Sequence, residues 1–150
     1  AATTVSVMRD EERVCVVLYK WAGDTPRYAV LERVKNWEGW ELVKGRMEGT
    51  PEETARMEVE EEAGIEELVS LEELDHDLEW EYQDDGETVH VSCHCFLAEV
   101  PADARVSVED NPDEEHGQGY FLNFRDAKDI LTYDDQRELL EAAHDTLTDT

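Results

Sequence analysis

Glu58, Glu61 and Glu62 are three carboxylates at positions i, i+3 and i+4. On an α-helix that spacing sets all three on one side of the cylinder. Without a partner they repel: at ~6 Å and an effective dielectric of ~20, each pair costs roughly 3 kcal/mol. A divalent cation reverses that sign, and hard oxygen ligands favour Mg²⁺ or Mn²⁺. The same residues also suit the solvated face of an acidic helix, and spacing alone leaves both readings open. Glu60 points roughly opposite, into water.

The segment that must hold them carries its own start and stop. Thr50 and Glu53 have the spacing of a capping box, and Pro51 falls at the first helical position. Ala55, Val59 and Ala63 recur every four residues and form a stripe for burial. Gly64 supplies the stop. Ahead of the helix, Gly45 opens a short loop flanked by Lys44 and Arg46. Those two cations are either phosphate partners or ordinary surface charge.

Residues 45–65 resemble the Nudix box, written G-x5-E-x7-R-E-U-x-E-E-x-G-U with U a bulky aliphatic. Glu58-Val59-Glu60-Glu61-Glu62-Ala63-Gly64-Ile65 matches its second half, and Gly45 matches its opening glycine. The resemblance implies that Glu58, Glu61 and Glu62 ligate catalytic divalent cations, with a backbone carbonyl from the loop at Gly45. It implies an α/β/α sandwich, a mixed β-sheet between helices. Two positions depart from the pattern. Met57 stands where the arginine belongs, and the loop between Gly45 and Thr50 is short and lacks the expected glutamate. Glu48 and Glu52 are the nearest carboxylates. Arg56 is rotated about 100° from position 57 and faces Glu60.

A pass along the chain gives strands, a helix, strands and helices. Arg13–Trp21 and Arg27–Val34 read as a hairpin-like pair around the turn cluster Ala22–Pro26. Trp37, Trp40 and Leu42 mark a short extended piece before Gly45. Leu68–Leu74 reads as a strand or irregular extension. His76–Gln83 and Thr88–Val100 read as strands joined at Asp84-Asp85-Gly86-Glu87. Pro101–Pro112 is acidic and loop-like, and Gly119–Phe124 is a short strand. Arg125–Ile130 begins a helical piece. A helix follows from Thr132 to Leu147, burying Leu139, Leu140, Ala143 and Leu147. This order suits a mixed sheet between helices. No repeat or long linker divides the chain, so residues 1–150 read as one domain.

A second stretch, Glu114-Glu115-His116 to Tyr120 followed by Tyr133 to Glu138, resembles the asymmetric diadenosine tetraphosphate hydrolases of the Nudix group. It carries one extra residue and lacks the usual tryptophan. The comparison implies a downstream glutamate that binds metal or positions water: Glu115 first, Glu114 second. Tyr120 and Tyr133 are candidates to stack on a base, or are structural tyrosines. His116 either polarises a phosphate oxygen or caps its loop.

The implied chemistry is hydrolysis of a diphosphate bond. Glu58, Glu61 and Glu115 are the candidate catalytic residues, with Glu58 or Glu115 accepting the proton of water. Lys44 or Arg46 takes a phosphate charge. The expected substrate is a small nucleotide, most naturally a dinucleoside polyphosphate. ADP-ribose, an oxidised nucleoside triphosphate and a capped RNA 5′ end remain alternatives, as does a Nudix-fold regulator without turnover.

Composition limits the rest. Forty acidic against thirteen basic residues, only four of them lysine, give a net charge of −27. Hydrophobic residues at 40% argue for a folded chain over a disordered one. The balance fits a protein of a salt-rich cytoplasm, where counterions screen self-repulsion. No lysine–arginine stripe supports general nucleic-acid binding, and no 18-residue apolar run supports a membrane span. The N-terminal residues lack an apolar leader and read as a cytoplasmic protein. Cys15, Cys93 and Cys95 cannot all pair and are too sparse for zinc. His90 and His94 lie on the opposite face of their strand and read as sheet-packing residues, with a metal pair as the alternative. Oligomeric state is not legible.

Overall fold

Short-period alternation of apolar residues produces a sheet whose two faces are both covered. The structure is a computed structural model and describes residues 8–109 and 115–148. In chain order the elements are β1 (Met8–Ala22), β2 (Thr25–Arg33), β3 (Gly39–Glu41), β4 (Val43–Arg46), α1 (Pro51–Ala63), β5 (Ser70–Glu73), β6 (Leu78–Asp84), β7 (Glu87–Glu99), β8 (His116–Asn123), α2 (Phe124–Ile130) and α3 (Asp134–Thr148). The sheet runs β3-β2-β1-β7-β5, with β4 also pairing β1, β6 pairing β7 and β8 pairing β2. β1 and β7 are parallel, while the other pairs are antiparallel. The sheet is therefore mixed, as expected.

Alternation along β1 divides the core in two. Val14, Val16 and Leu18 pack with Ala55, Val59 and Ala63 of α1. Cys15, Val17 and Tyr19 pack with Leu139, Leu140 and Ala143 of α3. Adjacent residues point to opposite faces of a pleated strand, so one apolar run serves both layers. The result is an α/β/α sandwich. All three cysteines are buried and free. Hydrogen bonding to Cys15 and Cys95, together with burial, pushes the Cys93 thiol far up, so it stays protonated. His90 and His94 face carboxylates on the opposite side, His90 beside Asp10 and His94 between Glu12 and Glu73.

Several boundaries differ from the sequence expectation. β1 begins at Met8 rather than Arg13, because Met8 and the charged residues Arg9–Glu12 ladder against Thr88–Ser92. Backbone pairing holds that extension, with no apolar pattern to reveal it. α3 begins at Asp134 rather than Thr132. Thr132 is fixed to β3 instead, its hydroxyl accepting from Trp40 N (2.9 Å) and its amide donating to Trp40 O (3.1 Å). The β6–β7 hairpin turns at Asp85 (φ 50) and Gly86 (φ 82), two left-handed residues that suit a two-residue loop. Among the described residues no helix is long and apolar enough to cross a membrane.

Candidate metal and phosphate site

The helix that carries the glutamates is fastened at both ends by the residues expected to do so. Thr50 Oγ1 accepts from Glu53 N (3.1 Å), and Gly64 adopts φ 69 while its amide donates to Glu60 O (3.0 Å). Thr54 was not singled out by sequence. Its buried hydroxyl accepts from Glu48 N (2.9 Å) and lies 2.7 Å from Glu48 O and 2.9 Å from Thr50 O, to one of which it donates. One side chain thus ties the short loop to the first helical turn. At Gly45 on β4 the geometry sets a requirement for space: a methyl group there would overlap the Glu58 carboxyl. The glutamate carboxylate rests directly on the glycine backbone.

These elements enclose a cavity of about 720 Å³. Glu58, Glu61, Glu62 and Glu115 line it, together with Lys44, Gly45 and Arg46. Seven residues chosen from sequence therefore meet in one place. Arg13, Arg33 and Glu48 join them. Arg33 Nη1 donates to Glu115 Oε2 (3.1 Å) and so aims that carboxylate. Arg46 pairs with Glu11 (2.8 Å), and Lys44 Nζ lies 3.6 Å from Glu41 Oε2. Glu114 falls outside the described residues.

Three expected substrate residues, His116, Tyr120 and Tyr133, are not part of this lining. His116 is buried in β8, its Nε2 2.8 Å from Glu41 Oε1. Tyr120, also on β8, packs its ring beside Trp40 of β3, and its hydroxyl donates to Gln118 on its own strand. The strand was expected from Gly119, so Tyr120 lies on it as read, but β8 extends back to His116 and takes that residue out of the loop.

Beneath the cavity lies a buried cluster that sequence reasoning missed. Glu41, Glu62 and His116 each place a donor atom within 4.8 Å of the others. Glu41 sits between Trp40 and Leu42, and hydrophobic patterning gives no signal for a fully buried carboxylate there. Burial would raise its pKa, but the hydrogen bond with His116 and the charges of Lys44 and Arg33 outweigh this and hold it below the usual range. Glu62 goes the other way. Burial, together with the charges of Glu41, Glu58 and Glu115, raises it well above an ordinary carboxylate, despite the bond from Lys44 N (2.9 Å).

This donor set fits a hard divalent cation. Glu41 Oε2 is buried with no hydrogen-bond partner, and Glu62 has a carboxylate whose charged form is opposed by three others. Oxygen donors dominate, and one imidazole adjoins them.

A second cavity of about 400 Å³ shares Arg13 and Lys44 with the first. Its character is different: Leu78, Trp80, Cys15, Cys93 and Tyr133 supply apolar and aromatic walls. Lys44 Nζ stands 5.9 Å from the Trp80 ring and 5.8 Å from the Tyr133 ring. Trp37 meets Tyr133 edge-on at 5.1 Å. Tyr133 is thus placed beside the glutamate cavity, one lysine away from it.

The NUDIX domain profile matches residues 4–143. The chain belongs to the NUDIX domain family. Membership carries the enzyme class, a Nudix pyrophosphohydrolase, and Nudix enzymes use divalent metals. Comparison with curated proteins by sequence finds no match. Solved structures similar to this Nudix chain include a protein named as a NUDIX hydrolase from Listeria monocytogenes, at 19% identity and a TM-score of 0.71, covering 90% of this chain and 92% of that one. An Ap4A hydrolase of C. elegans matches at 20% identity and a TM-score of 0.67, covering 93% and 99%. The dihydroneopterin triphosphate pyrophosphohydrolase of E. coli matches at 21% and 0.71, covering 91% and 96%. At these identities the likeness speaks to fold.

Proposed function

We propose that this Nudix chain is a single-domain enzyme that hydrolyses a pyrophosphate bond in a nucleoside diphosphate derivative, with a dinucleoside polyphosphate as its substrate. One observation carries the reading: an acid-lined cavity and an aromatic cavity share the wall formed by Lys44 and Arg13. A nucleotide joins these two chemistries in one molecule, a phosphate chain and a planar base. The sequence resemblance to the diadenosine tetraphosphate hydrolases supports the same choice.

Glu58, Glu61 and Glu62 would hold Mg²⁺ or Mn²⁺, with the Gly45 carbonyl and the adjoining Glu41. When bound, such an ion lowers the pKa of water and neutralises phosphate oxygens. The chain's own groups supply the rest. Glu115, aimed by Arg33, or Glu58 accepts a proton from the attacking water. Water adds to one phosphorus, and the bridging oxygen leaves with the other phosphate. Lys44 and Arg46 bind phosphate charge, Arg13 adds to theirs, and Tyr133 and Trp80 receive a base. The acid-rich surface suits a salt-rich cytoplasm.

Replacing Glu61→Gln together with Glu62→Gln is expected to abolish Mg²⁺-dependent cleavage of diadenosine tetraphosphate, read by chromatography of the products. Full activity in that double variant excludes this site. A second reading, a nucleotide-binding regulator without turnover, is favoured by Met57 in place of the box arginine. Calorimetric nucleotide binding with no hydrolysis in Mg²⁺ selects it.

A further inference from the structure

At the end of the sheet remote from Gly45, the charge pattern of the chain inverts. A cavity of about 680 Å³ lies between the β1–β2 hairpin, β8 and the segment 101–106. Its lining includes Lys20, Arg27 and Arg105 and no carboxylate. This occurs in a chain with forty acidic and thirteen basic residues.

The cations are placed against their own repulsion. Lys20 and Arg27 are direct cross-strand partners on β1 and β2. Like charges directly opposite in an antiparallel pair destabilise it, and acidic residues were abundant as alternatives. Lys20 is held over the Phe121 ring, with Nζ 4.7 Å from its centroid, and donates to Ala104 O (2.8 Å). Among the described residues, the Arg27 and Arg105 side chains make no hydrogen bond or ion pair. Both are exposed into the opening.

The segment bearing Arg105 is fixed on both sides. Ala104 is held by Lys20, and Ser107 N donates to Ala63 O (2.8 Å). Val106 packs over Gly119, where a methyl group would overlap it. Arg105 therefore projects from an anchored backbone, and two guanidinium forks and an ammonium face one opening. Guanidinium groups match the oxygens of phosphate in pairs.

We infer that this cavity is a second anion site, taking a small phosphorylated molecule, separate from the glutamate cavity. Its ligand is held by Arg27 and Arg105, with Lys20 shaping the floor. A site of this kind lets a phosphorylated metabolite or product bind without entering the centre that holds metal. It is independent of the activity proposed above, because no residue of the glutamate cavity takes part.

The test uses the full-length ¹⁵N-labelled chain with excess chelator, at the lowest potassium chloride concentration that keeps it folded. Inorganic phosphate replaces chloride at constant ionic strength, and AMP is titrated in a parallel arm. Saturable shifts are expected at the amides of Lys20, Gly119 and Phe121. Arg27→Gln with Arg105→Gln is expected to weaken binding there at least tenfold, with a melting temperature that is not lowered, since the Lys20–Arg27 repulsion is relieved. Lys20 is left in place because it anchors the loop. Lys44→Gln is expected to leave these shifts intact while altering any at Gly45. AMP binding more than tenfold tighter than phosphate identifies a nucleotide ligand, and equal binding identifies the phosphate group alone. Either ratio supports the site. Shifts that fail to saturate, that are confined to the glutamate cavity, or that persist in the double variant overturn it.

Discussion

Glu62→Gln offers the sharpest check on the electrostatics of the glutamate cavity. The amide keeps an acceptor for Lys44 N and removes a charge that three neighbouring carboxylates oppose. Glu41 and Glu62 place donor atoms within 4.8 Å of each other. Two full charges at that distance and an effective dielectric near 20 repel by about 3 kcal/mol. Lys44 and Arg33 beside Glu41 offset part of this, leaving about 1–2 kcal/mol. For a chain of 150 residues, that corresponds to a rise in Tm of roughly 2–8 °C. The pH dependence has a definite sign. The pKa of Glu62 is raised on folding, so its contribution to stability is complete below the unfolded carboxylate pKa and is lost as pH rises through the folded value. The variant should therefore melt above wild type at pH 8 in chelator, with the gap closing towards pH 4. Glu41 titrates with the opposite sign but is present in both proteins. Millimolar Mg²⁺ should raise the wild type more than the variant, because binding to the native state alone adds stability. Differential scanning calorimetry at several pH values reads all of this. A variant that melts below wild type in chelator at pH 8 would refute the reasoning, since the carboxylate would then be held by attraction.

Three other perturbations test separate parts. Gly45→Ala forces the Glu58 carboxyl from its seat. An overpacking cost of about 1–3 kcal/mol and at least a hundredfold loss of Mg²⁺-dependent turnover are expected, whereas wild-type turnover would show that Glu58 need not rest there. Met57→Arg restores the box cation one turn from Glu61 and should raise turnover; an unchanged rate means that the missing arginine does not limit catalysis. Dialysis to 50 mM salt should erase secondary structure, because a net charge of −27 is then poorly screened. A circular-dichroism spectrum that stays unchanged would remove the argument for a salt-rich cytoplasm.

What could be read from sequence was whatever leaves a local or periodic mark. The α1 cap at Thr50, the Gly64 stop and the Ala55–Val59–Ala63 stripe each follow from short-range rules, and all three are in place. Glu58, Glu61 and Glu62 were visible because helical spacing fixes their common side. Glu41 left no such mark. It is one carboxylate among forty, and only the approach of α1 and β8 makes it a neighbour of Glu62 and His116. Arg13 and Arg33 were likewise ordinary strand cations until the sheet folded around β4. The start of β8 was missed for a related reason: Gly117 and Gln118 are exposed and carry no apolar alternation to announce that the strand begins at His116 rather than Gly119. Trp80 joins the aromatic wall only because β6 pairs with β7, which brings it near Tyr133.

The parallel pairing of β1 and β7 has a consequence for how the chain acquires its form. Every partner pair in that ladder, from Met8 with Thr88 to Tyr19 with Glu99, is separated by the same 80 positions. The β1–β2 hairpin closes across two residues and needs no such wait. On a ribosome, then, the first hairpin is exposed along one edge of β1 until most of the chain has emerged. Closing so long a loop is slow compared with turning a hairpin. The late strand thus gates completion of the sheet, and the charged stretch Arg9–Arg13 keeps that waiting edge from recruiting another chain in the meantime.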